Sequence, residues 1–178
     1  MSIYRDVEDG IFKGVKAALS EYPTVPVAFA HMNMTEPAES YVTINVLQID
    51  EQGRQSSSTK TDEQERLTIS ASYEVFVQFT FIGSKAGEMS QSFSQRLGSN
   101  PVAHQEFRRN KLGFMRKSQI RRVPQKRDTK WVDYCNIDAY FSYSVITEQL
   151  VGIIETVILQ DLITGEVFTV PPTPITIP

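Results

Sequence analysis

L-T-I-S-A-S-Y-E-V-F-V-Q-F-T-F-I, residues 67–82, alternates over its whole length. Leu67, Ile69, Ala71, Tyr73, Val75, Val77, Phe79 and Phe81 take one side; Thr68, Ser70, Ser72, Glu74, Gln78 and Thr80 take the other. A two-residue period is that of a strand with one face on a core and the other toward water. At about 3.3 Å per residue such a strand spans roughly 50 Å, well beyond the usual five or six residues. That length suggests one arm of a ribbon projecting from its domain. Gly83 ends it.

Upstream, residues 51–66 (E-Q-G-R-Q-S-S-S-T-K-T-D-E-Q-E-R) contain no apolar side chain, which predicts a mobile polar loop or hairpin tip. Before it, Tyr41–Asp50 alternates, with Val42, Ile44 and Val46 on one face and Thr43 and Asn45 on the other. Val25–Met32 reads as a short strand that Pro26 confines to a start or an edge. Residues 2–21 read as a helix, because Tyr4, Val7, Ile11, Val15, Ala18 and Leu19 recur at three- and four-residue steps. Ser2 is placed to cap it, and Gly10 and Gly14 weaken it by about 1 kcal/mol each relative to alanine.

Downstream, Ala86, Met89, Phe93 and Leu97 form a helical stripe interrupted at Gly98. Asn100-Pro101 reads as a cap and first-turn proline for a second helix, from Val102 to about Leu112, ended by Gly113. Phe114–Val123 reads as a strand and Pro124–Lys130 as a connection. Trp131–Ile146 is then a second long strand, apolar at Trp131, Cys135, Ile137, Ala139, Phe141, Tyr143 and Val145, with Asp133 the exception. Ile153–Leu162 and Glu166–Val170 suit a hairpin about Ile163-Thr164-Gly165. The expected architecture is a single α+β domain over residues 1–170. It has an antiparallel or mixed sheet with long strands, flanked on one face by two or three helices, and an extended proline-rich tail over 171–178.

Composition narrows the class. The chain has 178 residues, 40% of them hydrophobic and 22% charged, enough for one domain with a sizeable core. No apolar run approaches the roughly 18 residues of a membrane helix, and residues 1–30 do not read as a signal peptide. The one cysteine cannot form an internal disulfide, which suits synthesis in a reducing compartment. Charge is strongly polarised. Residues 108–130 hold ten Lys or Arg and one acid, a local +9, whereas the whole chain carries −3. Such separation speaks to partners more than to folding.

The search for chemistry is negative. His31 and His104 have no second histidine or cysteine at ligand spacing, so no metal site is expected. Cys135, on the apolar side of a strand, reads as a core thiol. Gly83-Ser84-Lys85 lacks the order of a phosphate loop and reads as a strand-to-helix turn. Asp133 and Asp138 fall on opposite faces of one strand, so they make a poor carboxylate pair. No catalytic residue, metal or cofactor is expected, and the chain is not read as an enzyme. The basic run admits a plain reading as a solvated surface. Against that, Arg116 and Arg122 on one side with Lys117 and Arg121 on the other would charge both faces of a strand. That strand is then an edge or lies in a subunit interface. No helix-turn-helix or zinc finger is present to read bases.

Ser118–Val145, with I-R-R-V-P followed by R-D-T-K-W and an aromatic strand, resembles the neck or tail terminator proteins of tailed bacteriophages. The order of elements elsewhere is similar too. The resemblance implies a virion structural protein that forms a ring, commonly hexameric, at the head-proximal end of the tail. It would cap the tail tube, meet the head-side connector or neck protein, contact a sheath where the tail has one, and let DNA pass non-specifically through its lumen. Arg116, Lys117, Arg121, Arg122, Lys126 and Arg127 are then expected at charged interfaces or in the lumen, with Trp131 as an anchor. Another head-tail completion or tail tube protein, or a cytoplasmic nucleic-acid-binding module, are the alternatives.

Overall fold

Eleven strands and three helices make up the secondary structure in the computed structural model, which describes residues 2–32, 35, 37, 39–53, 56–57, 66–127, 129–150, 157–160 and 167–170. These fall into two compact units, one of residues 1–55 and 70–145, the other of 56–69 and 146–178. The first contains most of the sheet, of which residues 56–57 and the outer ends of the two long strands (66–69 and 146–150) belong to the second, and the helices α1 (Ile3–Ala18), α2 (Ala86–Ser99) and α3 (Pro101–Arg109). The strands of the sheet are β1 (Val27–Phe29), β2 (Tyr41–Glu51), β4 (Arg66–Ile82), β9 (Tyr134–Leu150) and β5 (Leu112–Lys117), in that spatial order. β6 (Arg121–Arg122) also pairs with β9, and β3 (Ser56–Ser57) with β4. β1 runs parallel to β2, while β2–β4 and β5–β9 are antiparallel, so the sheet is mixed. The fold is α+β, as the alternation patterns predict.

The long strand is present as expected, and its odd positions from Ala71 to Phe81 are buried except the half-buried Tyr73. Phe93 of α2 stands edge-on to Phe79 at 4.9 Å, and Phe107 of α3 lies 4.9 Å from Phe141 of β9. With Val7, Ile11 and Val15 of α1 these rings form one core on one face of the sheet. Each such side chain contributes about 1.5–3 kcal/mol by leaving water. Gly10 and Gly14, which read as weak points of α1, are where α3 and the chain after it come closest. A Cβ on Gly14 would lie 2.1 Å from the Phe107 ring, and one on Gly10 would lie 2.7 Å from Leu112. Tyr4, read into the buried stripe, is 55% exposed, and Ser2 caps through its backbone carbonyl, which accepts from the Asp6 N–H.

Several expected boundaries shift for local reasons. Between Val46 and Gln48 the β2–β4 register slips, leaving Leu47 exposed, so that Val46 and Ile49 both pack on the core despite their odd separation. Gly98 does not interrupt α2, which continues to Ser99. Asn100 caps α3 with its side chain on the Val102 N–H, as expected. That helix stops at Arg109, three residues short of the expectation. Asn110 folds back onto the Glu106 carbonyl, and Lys111, not Gly113, takes the positive φ of 60°. Leu112 is thereby free to enter β5 and the core. Phe114–Val123 is two strands rather than one. The register slips between Phe114 and Arg116, and at Ser118 the ladder is replaced by a side-chain exchange: Ser118 N–H donates to the Asp138 carbonyl at 2.7 Å, and Asp138 N–H to Ser118 Oγ at 3.0 Å.

The connection expected over Pro124–Lys130 holds β7 (Gln125–Arg127), paired with β8 (Lys130–Val132). Trp131 therefore belongs to a short hairpin and not to the long core strand, which starts at Tyr134 after a break at Asp133. In the second unit β10 (Val157–Gln160) pairs antiparallel with β11 (Val167–Val170), as expected though shorter. The turn predicted between them, most of the polar loop and the tail 171–178 lie outside the described residues.

Candidate assembly interface

The face of the sheet turned away from the helices carries the even positions of β4 and β9. Phe76 stacks on Tyr140 at 4.8 Å, and Gln78 donates to Asp138 at 3.2 Å. Arg116, on the neighbouring strand, caps this row. Its guanidinium sits 4.1 Å from the Tyr140 ring centre and 3.3 Å from Glu74. Arg121 pairs with Asp138, and Arg122 grips both oxygens of Asp133 at 2.8 and 2.9 Å. Three of the basic residues singled out from the sequence are thus matched to acids of the same molecule. Counting charges along the chain missed this, because Glu74 is 42 residues from its partner and Asp138 is 17 from its own. The acids on the polar faces of the two long strands were the available signal.

Lys117 turns to the opposite, helix-bearing side and donates to the Ser94 carbonyl of α2, where burial pushes its ammonium below the usual lysine range. Successive cations on opposite faces are tolerated because β5 is the last strand of the path, an edge. That is one of the two explanations the sequence left open.

Lys126, Arg127 and Trp131 lie on the β7–β8 hairpin, with Lys126 directly across from Trp131 and Arg127 across from Lys130. Arg127 also lies 5.3 Å over the Tyr134 ring. Trp131 is 72% exposed, the most open of the large apolar side chains among the described residues. Between this hairpin and the adjoining ends of β2 and β4 runs a groove of about 660 Å³. Tyr41, Ile82, Ser84, Arg127, Lys130 and Trp131 form part of its walls. The Gly83-Ser84-Lys85 turn borders it as a strand-to-helix turn, with Gly83 at φ 106° and Lys85 N–H on Ser40 Oγ.

Neither histidine is in this region's chemistry. His31 stacks on Phe29, and His104 stands edge-on to Phe114. Cys135 is buried. Among the described residues, no group of three or more His, Cys, Asp or Glu is placed to hold a metal, and no helix is long and apolar enough to cross a membrane.

Comparison with known proteins places the chain as a whole. Residues 5–169 match the phage neck terminator proteins as a family. The chain belongs to that family. The Ser118–Val145 block of the terminator chain, with its I-R-R-V-P and R-D-T-K-W, lies within the matched span. No curated protein matches it. Among solved structures, the terminator chain is similar to the sheath/tube terminator of an extracellular contractile injection system (PVC), determined by cryo-EM in its extended state, at 15% identity and a TM-score of 0.47. The match covers 92% of the terminator chain and 65% of the other, so the chain spans less than two thirds of that neighbour's length.

Proposed function

We propose that this chain is a structural tail terminator that closes into a homo-oligomeric ring, six subunits being the expected number. The ring caps the tail tube, contacts a sheath where one is present, and receives the head-side connector, while DNA crosses its lumen without being read. In this reading the protein is assembled in the host cytoplasm, resides in the neck of the virion and performs no catalysis. The observation that carries it is the family match over residues 5–169.

The seven candidate residues divide by their surroundings. Arg116, Arg121 and Arg122 act as struts on the sheet and its edge, each held by a carboxylate of the same molecule. Lys117 ties that edge to α2. Lys126, Arg127 and Trp131, on a projecting hairpin, meet the partner, with the indole as the anchor.

Native mass spectrometry and negative-stain imaging of the purified protein test the reading. A terminator gives single closed rings that bind the ends of purified tail tubes. Long cylinders would instead indicate a tube subunit, and a monomer that neither assembles nor binds tubes would overturn the reading. Reversing Arg121 and Arg122 to Glu separates lumen from interface. Intact rings with altered DNA passage place these residues on the lumen, loss of rings at an unchanged Tm places them between subunits, and loss of rings with a lowered Tm reflects their intramolecular pairing with Asp138 and Asp133. Direct DNA affinity that falls steeply with salt, in a protein that never assembles, is the result a nucleic-acid-binding module would give.

A further inference from the structure

We propose that the protein associates head to tail, the Lys126–Trp131 hairpin of one copy docking on the β2 end, Asp50–Glu51, of the next. The inference rests on the self-association proposed above and names the two surfaces that make it. Both surfaces belong to the first compact unit, and they lie at opposite ends of β2, while β4 and β9 run on past the second of them. Tyr41 pairs with Ile82 at one end of the β2–β4 ladder, and Glu51 pairs with Tyr73 at the other. Tyr134 clusters with Tyr41 and Ile82, whereas Tyr143 sits against Tyr73, so β9 spans the same distance. Nine or ten residues of strand separate the ends by about 30 Å.

The end at Tyr41 and Tyr134 is basic and aromatic. Lys126, Arg127, Lys130 and Trp131 are all exposed there, and Arg122 and Asp133 cancel each other. Lys85 adds a cation, and Glu39 is an acid in the groove wall. Among the described residues, the end of β2 beside Tyr73 is acidic. Asp50 and Glu51 are exposed, and among the described residues neither is in an ion pair; Asp50 only accepts from Gln48 at 2.5 Å. Asp6 and Asp9 share a cleft with Tyr143, balanced there by Lys13 and Lys111, while Arg109 in the same cleft pairs with Glu106. A gap of about 30 Å between the two ends cannot be bridged within one copy. Complementary patches on different surfaces therefore pair between copies, which is a heterologous contact. Such contacts close into a ring when the rotation permits. The groove beside Trp131, about 660 Å³ in volume, offers room for side chains of the next copy, and Lys130 and Arg127 in its wall favour carboxylates there.

Charge reversal gives a test with a distinctive signature. One variant carries Lys126→Glu and Lys130→Glu; the other carries Asp50→Lys and Glu51→Lys. All four side chains are exposed, so both variants should melt with the wild type by circular dichroism. Each alone should lose assembly, with affinity down by at least about tenfold in native mass spectrometry at low salt. An equimolar mixture should regain it, because each reversed surface meets its reversed counterpart on the other variant, giving particles of one-to-one composition. If either variant assembles like the wild type, or the mixture stays monomeric while the wild type assembles, this contact is wrong and self-association stands. A wild type that remains monomeric throughout overturns both.

Discussion

Replacing Gly14 by alanine sets helix propensity against tertiary fit, and the structure says which wins. In an isolated helix the change stabilises by about 1 kcal/mol. Here the new methyl would lie 2.1 Å from Cε1 and 2.4 Å from Cδ1 and Cζ of Phe107, against an ordinary contact of 3.4 Å or more. Phe107 is almost fully buried and rests on Phe141, so its ring has little room to retreat. Overpacking of a filled core costs about 1–3 kcal/mol, and a displacement above 1 Å belongs to the upper part of that range. The net expectation is a loss of about 1–2 kcal/mol, or roughly 3–8 °C in Tm for a chain of this size. Gly87 in α2 is the matched control, since nothing lies within 4 Å of its position for a Cβ, and alanine there should leave stability unchanged or raise it by up to about 1 kcal/mol. Urea denaturation followed by circular dichroism measures both. Adding Phe107→Leu should shrink the Gly14→Ala penalty by about 1 kcal/mol, a non-additivity expected only of residues in contact. A Gly14→Ala protein as stable as the wild type would refute the close approach of α1 and α3.

Three further outcomes follow from the same geometry. A double-mutant cycle on Arg122→Gln and Asp133→Asn should give a coupling below about 1 kcal/mol that shrinks in salt, because the arginine is mostly solvated; about 2 kcal/mol or more would mean a buried pair. Hydrogen bonds from Ser92, then Arg96, hold the Glu21 carboxyl below its ordinary value of 4.5. A depressed folded-state value stabilises the fold above the unfolded value and loses that contribution as pH falls through the folded one. The Tm gap between wild type and Glu21→Gln should thus be full above pH 4.5 and close at lower pH; a gap that persists to pH 2.5 counts against these contacts. Cys135, buried on β9, should react with a thiol reagent at least about a thousandfold more slowly in the native protein than in urea, and rapid native labelling would contradict its burial.

Periodicity made the sheet and helices legible because it reports burial, and burial built the core. The odd positions of β4 and β9, the α2 stripe and the Asn100 cap each carry their signal locally. What failed were features set by a distant strand. The slip at Leu47 and the exchange between Ser118 and Asp138 depend on which strand lies opposite, which a single strand's pattern does not encode. The pairing of Glu74 with Arg116 is of the same kind. Gly10 and Gly14 were read as weakness because propensity is local, while their use is the approach of a second helix. Asp133 was the visible exception in an apolar pattern, and it marks the break between the hairpin and β9.

The density of cations over residues 114–123 also fits a role within one copy of the chain. An exposed edge strand offers unpaired N–H and C=O groups to any passing chain, and charged side chains, irregular register and short length suppress that pairing. The β5–β6 edge has all three: a slipped register after Phe114, a break at 118–120, and Arg116, Lys117, Arg121 and Arg122 along it. Their counter-ions on β4 and β9 keep the charge from repelling the sheet it protects. An edge so guarded is poorly suited to recruit a neighbour by strand addition. In the proposed assembly a contact at this end of the sheet goes through side chains, and the β7–β8 hairpin carries the exposed indole and the cations that the strand ladder does not use. The sequence places the guarded edge and the proposed contact side by side in one basic run; the fold puts them on different strand pairs.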